Sequence, residues 1–291
     1  MNDSLEAAST DRATHAEQQA DKAGQTPTLG PMPRRDLAIW TGQVFPALRA
    51  LLRWGYFSID VEGAEHVPRS GPVIYAPNHA GWFTLDTLVG ALVMAEQFGL
   101  ERLPWAAVQD ELLKTPRIGA FFEGIGGFPA SWLKTPEALP PAIDVLCIYP
   151  EGTEGNCKSL LHAYQMRPWR PSFVRLAAAR DASIVPLAIV GGEESMPSIA
   201  PIRFLKPLVG TLLPLPLSLL PLPTRWKFIF HEPVRVSSVE VGSPGGDSER
   251  QRQRVREITA SIQERVQRTL DRETADRKLV RLSKVVKPWL R

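Results

Sequence analysis

Cysteine is nearly absent from this chain. Cys147 and Cys157 are the only two in 291 residues, too few for a disulfide framework, and no CxxC or Cys/His run suggests a zinc site. A reduced, cytosolic compartment is the expectation. Residues 1–33 hold no apolar stretch, so no signal peptide is expected, and with almost no large side chains to bury they read as disordered. A Gly-x-Ser-x-Gly nucleophile elbow is also missing, which argues against a lipase or thioesterase built on that device. The longest uncharged run, between Lys206 and Arg225, contains Pro207, Pro214, Pro216, Pro221 and Pro223. A lipid-exposed helix cannot lose so many backbone hydrogen bonds, so the run reads as a Leu/Pro-rich loop and no transmembrane helix is expected.

Charge of either sign is ordinary in amount but uneven in placement. The net charge is +3, yet residues 248–291 carry 13 Lys/Arg against 6 Asp/Glu, a local +7. A basic tail on a mildly acidic body points to an anionic surface as partner. No nucleic-acid-binding motif or stacking-aromatic module accompanies that charge, so a membrane surface is expected and nucleic acid is not. Val255, Ile258, Ile262, Val266 and Leu270 recur at helical spacing in the tail, which predicts an amphipathic helix from 248 to about 282.

The middle of the chain alternates strands with helices. Strands are expected at 73–78, 105–108, 126–130, 145–150, 183–190 and 226–230, with helices at 85–98, 109–123 and 171–180. This pattern predicts an α/β domain with a mostly parallel sheet flanked by helices, over residues 34–246. Before it, Leu37, Trp40, Val44, Leu48 and Leu51 predict a helix kinked at Pro46, lying either in a membrane interface or on the core.

Two segments carry polar chemistry at strand ends, where α/β sheets gather their ligands. In PNHAGWFTLD, His79 follows the first strand and Asp86 opens the next helix. A histidine there can act as general base, and a carboxylate can fix its tautomer. In YPEGTEG (149–155), glycines let backbone amides approach a ligand, beside Glu151 and Thr153. NHAGWFTLD, then YPEGT, then IVPLAIVG resemble, in order and spacing, the motifs of the glycerolipid acyltransferase superfamily typified by lysophosphatidic acid acyltransferases. The resemblance runs from about Gly71 to Gly192.

That resemblance implies transfer of a fatty acyl group from acyl-CoA or acyl carrier protein to a lipid hydroxyl, with no metal, no cofactor and no acyl-enzyme. It makes His79 the base and Asp86 its charge partner. It assigns Asn78, Glu151, Gly152 and Thr153 to the substrate, and it implies a cytoplasmic protein held peripherally at the inner face of a membrane. The chain departs from the family pattern in three places. The His-to-Asp gap is two residues longer than usual. Residues 118–131 contain glycines but no arginine. Glu154 stands where the family has an arginine, and a carboxylate there repels phosphate. Either Lys158, Arg167 or Arg170 replaces that cation, or the acceptor lacks a phosphate. A catalytically silent lipid-binding or scaffold protein on the same fold is the alternative these departures leave open.

Overall fold

The computed structural model describes residues 29–81, 84–135, 138–204, 212–242 and 248–286. Most of the stretch expected to be disordered, residues 1–28, lies outside them, as does part of the Leu/Pro run. The chain divides into two compact units, Met1–Pro31 and Met32–Arg291, and every element below belongs to the second.

Nine strands are found among the described residues: β1 Phe57–Glu62, β2 Val73–Pro77, β3 Trp105–Val108, β4 Gly127–Pro129, β5 Val145–Cys147, β6 Ser183–Val190, β7 Ser198–Ile202, β8 Leu213–Pro216 and β9 Thr224–Phe230. Seven form one sheet in the order β1-β9-β6-β2-β5-β3-β4. From β6 to β4 all pairings are parallel; β9 runs antiparallel to β6, and β1 is parallel to β9. The expected mostly parallel α/β sheet is therefore present. Every residue of β2, β5 and β6 is buried, as strands covered on both faces require.

The helices used below are α1 Phe45–Arg53, α2 Leu85–Phe98, α3 Asp110–Leu113, α4 Ile118–Gly124, α5 Thr153–Asn156, α6 Ser172–Ala179, α7 Gly192–Ser195, α8 Ser238–Val241, α9 Glu249–Thr274 and α10 Lys278–Val286. Apolar residues of α1 and α2 cover one sheet face, where Trp40, Phe45, Val89 and Leu92 join Tyr75, Leu187 and Phe228 in one core. On the other side α6 packs on β2 and β6, and α9 packs along β6.

Several expectations change in detail. The first helix contains a π-helical turn, Trp40–Val44, directly before Pro46, whose missing N–H interrupts the α-helical ladder. Its face lies on the core: Trp40 is 2% exposed and its indole donates to the Ile125 carbonyl at 3.2 Å. The helix expected at 109–123 is two helices, α3 and α4, parted around Pro116. Strand β1 is additional to the expected strands, and FSIDVE alternates in strand fashion. The Leu/Pro run is not loop throughout: β8 pairs antiparallel with β7 as a separate two-stranded sheet. The tail is two helices, α9 and α10.

Candidate active site

His79 leaves the carboxyl end of β2 and Asp86 is the second residue of α2, so the loop between them returns the chain over the sheet edge. His79 Nδ1 lies 2.6 Å from Asp86 Oδ2. The same oxygen accepts from the Ala80 amide at 3.0 Å, and Oδ1 accepts from the Thr87 amide at 2.8 Å. A carboxylate accepting on both oxygens leaves Nδ1 as the donor, and Nε2 as the ring nitrogen free to take a proton. The two extra residues in the His-to-Asp gap therefore do not prevent the pairing. Trp82 and Phe83, in that gap, lie outside the described residues. The Ala80 amide is already engaged by Asp86.

Tyr149, at the end of β5, stacks on the imidazole with ring centroids 3.8 Å apart. Its hydroxyl accepts from Thr87 Oγ1 at 2.9 Å, so the ring plane is held from the same helix turn that carries Asp86. Beneath His79 the fit is close. A Cβ at Gly155 would come within 2.8 Å of the Cβ atoms of both His79 and Glu151, so only glycine lets the turn approach.

His79, 7% exposed, sits at the edge of a cavity of about 810 Å³ at the carboxyl ends of β2, β3 and β5. The volume is within the roughly 300–1,000 Å³ range of small-molecule sites. Val108, Leu112, Phe122, Ile125 and Leu133 make much of its wall apolar. Gly152, Thr153 and Glu154 line it beside His79, as do Arg170 and Arg175.

The model of the family described as Acyltransferase matches residues 58–190. Residues 58–190 are thus similar to the acyltransferase family. An uncharacterized protein of Mycobacterium leprae is 28% identical over 80% of this chain, and one of Mycobacterium tuberculosis is 29% identical over 79%. The chain spans only 64% and 66% of those two relatives. The crystal structure of the 1-acyl-sn-glycerophosphate (LPA) acyltransferase PlsC from Thermotoga maritima superposes with a TM-score of 0.52 and 18% identity, covering 81% of this chain and 80% of that one. The α/β fold is thus shared with PlsC.

Within this domain the remaining motif residues divide by position. Asn78 bridges to β6, donating to the Ile189 carbonyl at 2.9 Å and accepting from the Ile189 amide at 2.7 Å. Glu151 is buried under the loop: Oε1 accepts from the His79 amide at 2.9 Å and Oε2 from the Arg167 amide at 2.7 Å. Lys158 is buried between Glu151 at 3.2 Å and Glu193 at 3.1 Å. Burial alone would lower the Lys158 ammonium, but the two carboxylates outweigh it and hold it above its usual range. Asn78, Glu151, Lys158 and Arg167 are not among the residues lining the cavity, whereas Gly152 and Thr153 are. The sequence offered Tyr149 and Gly155 inside the YPEGTEG motif, yet only their contacts with His79 reveal what they do. Arg175 and Lys134, also on the lining, carry no motif signal.

Proposed function

We propose that this domain transfers an acyl group from a thioester donor, acyl-CoA or acyl-acyl carrier protein, to a hydroxyl of a glycerolipid-type acceptor. The observation that carries the reading is the His79–Asp86 pair at 2.6 Å on the edge of a largely apolar cavity. His79 Nε2 takes the proton of the acceptor hydroxyl as its oxygen attacks the thioester carbonyl. Asp86 holds the ring and stabilises the imidazolium. The C–O bond forms, the C–S bond breaks, and the proton passes from Nε2 to the departing sulfur as a free thiol. The acyl chain occupies the apolar wall of the cavity. This acceptor class is the one named for PlsC.

A lipid acceptor brings the site to a membrane surface. Supporting this, the segment after β8 exposes Leu217, Leu219, Leu220 and Leu222, with Leu219 77% exposed. Leu222 donates its amide to Ser195 in α7, and α7 lies against the His79 loop, since a Cβ at Gly81 would meet Met196 and the Gly192 carbonyl. Trp54, 78% exposed, is two residues before Tyr56, whose hydroxyl donates to the Pro221 carbonyl at 2.7 Å. Among the described residues no helix is long and apolar enough to cross a membrane.

The test is release of free thiol from acyl-CoA in the presence of lysophospholipid vesicles. His79→Ala should lower turnover by about 10²–10⁴ with an unchanged thermal transition, the cost of losing a general base. Near-normal turnover in a folded His79→Ala variant sinks the assignment. A folded wild-type chain that releases no thiol with either donor favours the silent lipid-binding alternative.

A further inference from the structure

Asp86 fixes one point of the His79 ring, and one point does not fix a plane. An imidazole held only through its Nδ1–H bond can turn about the line from Nδ1 to Asp86 Oδ2. Each turn swings the Nε2 lone pair away from the hydroxyl it must deprotonate, and small misplacements of reacting groups are costly. A second restraint comes from β5, the strand paired in parallel with β2.

Tyr149 lies on the imidazole with ring centroids 3.8 Å apart and planes 25° apart. Alternation along β5 explains its direction. Val145 and Cys147 share the sheet face that packs with Val89 and Leu92 of α2, and Tyr149, two residues further on, packs against the same core. Its ring therefore reaches the first turn of α2, where Asp86 and Thr87 are neighbours. Thr87 serves both. Its amide donates to Asp86 Oδ1 at 2.8 Å, and its hydroxyl donates to the Tyr149 hydroxyl at 2.9 Å. The Tyr149 hydroxyl also shares a hydrogen bond with Cys147. Burial is the chief reason the phenol is held well above its usual range, so it stays neutral.

We propose that Tyr149 and Thr87 are positioning residues for His79: Asp86 sets the ring nitrogen, Tyr149 sets the ring plane, and Thr87 joins the two restraints. The stack does more than fill space. An aromatic face carries negative charge density and stabilises a desolvated cation set over it. As Nε2 takes the proton, the imidazolium forms against that face, so the contact strengthens where charge develops. An aliphatic side chain would pack in the same place and supply neither effect.

The catalytic consequence rests on the acyl-transfer reading above; the clamp on the ring does not, so two measurements on the full chain are needed. The first is thiol release from acyl-CoA with lysophospholipid vesicles. Tyr149→Leu should lower kcat about ten- to hundredfold while either KM changes by less than about threefold. Tyr149→Phe, which keeps the ring, should recover most of that loss. Thr87→Val and Tyr149→Phe remove the same hydrogen bond, so the double variant should lose no more than either alone. A loss that Tyr149→Phe does not recover, a loss carried by KM, or additive losses in the double variant would overturn the proposal. The second measurement is proton NMR of the His79 Nδ1–H, a far-downfield signal assigned by its disappearance in His79→Ala. It should be sharp in the wild type and in Tyr149→Phe, and broadened or lost in folded Tyr149→Leu. An equally sharp signal in Tyr149→Leu, or none in the wild type, overturns the clamp. A wild type that shows the expected signals but releases no thiol would count against acyl transfer and leave the clamp standing.

Discussion

Lys158 shows how a residue that looks like a ligand becomes part of the frame. Seven residues after Glu151, it occupies a place from which a basic side chain could reach a substrate. Instead its ammonium neutralises Glu151, whose other contacts hold the His79 amide and the Arg167 amide. Removing one member of a buried pair strands the charges that remain, typically at about 3–5 kcal/mol. Lys158→Met should therefore lower unfolding free energy in denaturant titration by that order, leaving Glu151 and Glu193 without a cation. A loss within about 0.5 kcal/mol, the range of ordinary surface substitutions, would show that the pair does not brace the loop. Glu193 adds a pH dependence. Burial pushes its carboxyl up to about 7, with Lys158 pulling partly the other way. A carboxyl that holds its proton more tightly folded than unfolded contributes stability that is complete below its unfolded pKa of about 4.3. That contribution is lost as pH rises through about 7. Between pH ~4.5 and ~7.5 the wild-type Tm should fall relative to that of Glu193→Gln. Parallel Tm curves for the two proteins would refute this.

Among the elements, α9 departs furthest from what its sequence suggests. Its composition reads as a basic accessory tail for anionic lipid. In the structure Val255, Ile258, Ile262, Val266 and Leu270 are buried, and the helix roofs β6. Many of its arginines face carboxylates: Arg254 pairs with Glu240 of α8 at 3.2 Å, and Arg272 with Glu273 at 2.9 Å. Exposed pairs of this kind contribute about 0–1 kcal/mol each, but they do spend the charge locally. Deleting 248–291 would uncover the sheet, so the helix's role is better probed by its glutamines. Gln263→Ala with Gln267→Ala removes the four hydrogen bonds that hold residues 164–169. At roughly 1 kcal/mol for a typical bond, the double variant should be measurably less stable in denaturant titration. Its turnover should also fall as Arg170 loosens, while its binding to anionic vesicles stays unchanged. Weaker vesicle binding with normal turnover would return α9 to the membrane role its charge suggests.

For the whole molecule, the apolar surface and the His79–Asp86 pair share one region. The exposed leucines after β8 connect through Ser195 and α7 to the loop that carries His79. Membrane contact carried by such a surface is hydrophobic, and salt does not screen it as it screens a charged tail. Co-sedimentation with neutral vesicles should persist at high salt and fall about tenfold or more in Leu219→Ser with Leu220→Ser. Fully burying a leucine is worth about 1.5–3 kcal/mol, and partial insertion of two suffices for that factor. The thermal transition should not move, because both side chains are exposed. Undiminished binding by the double variant would place the contact elsewhere.

Uninterrupted apolar runs made β2, β5 and β6 legible, because a strand buried on both faces has no polar alternation to disguise it. The polar residues that follow β2 and β5 marked the site, and the His79–Asp86 pairing needed only a short loop to close. Order along the chain therefore determined the α/β class and the His79–Asp86 pair. It could not distinguish a buried helix face from a membrane-facing one, since Trp40 against Ile125 and Trp54 in solvent have the same composition. Nor could it show that Leu and Pro in 213–216 pair with 198–202, because that strand's prolines hide its signal. Which cations reach the cavity, and which are neutralised first, depends on contacts across long sequence separations. Lys158 meets Glu193, and Gln263 meets residues 167 and 169, only once the sheet has formed and α9 has closed over it. Local sequence sets backbone preference and apolar period; partner choice among like charges is decided by tertiary packing.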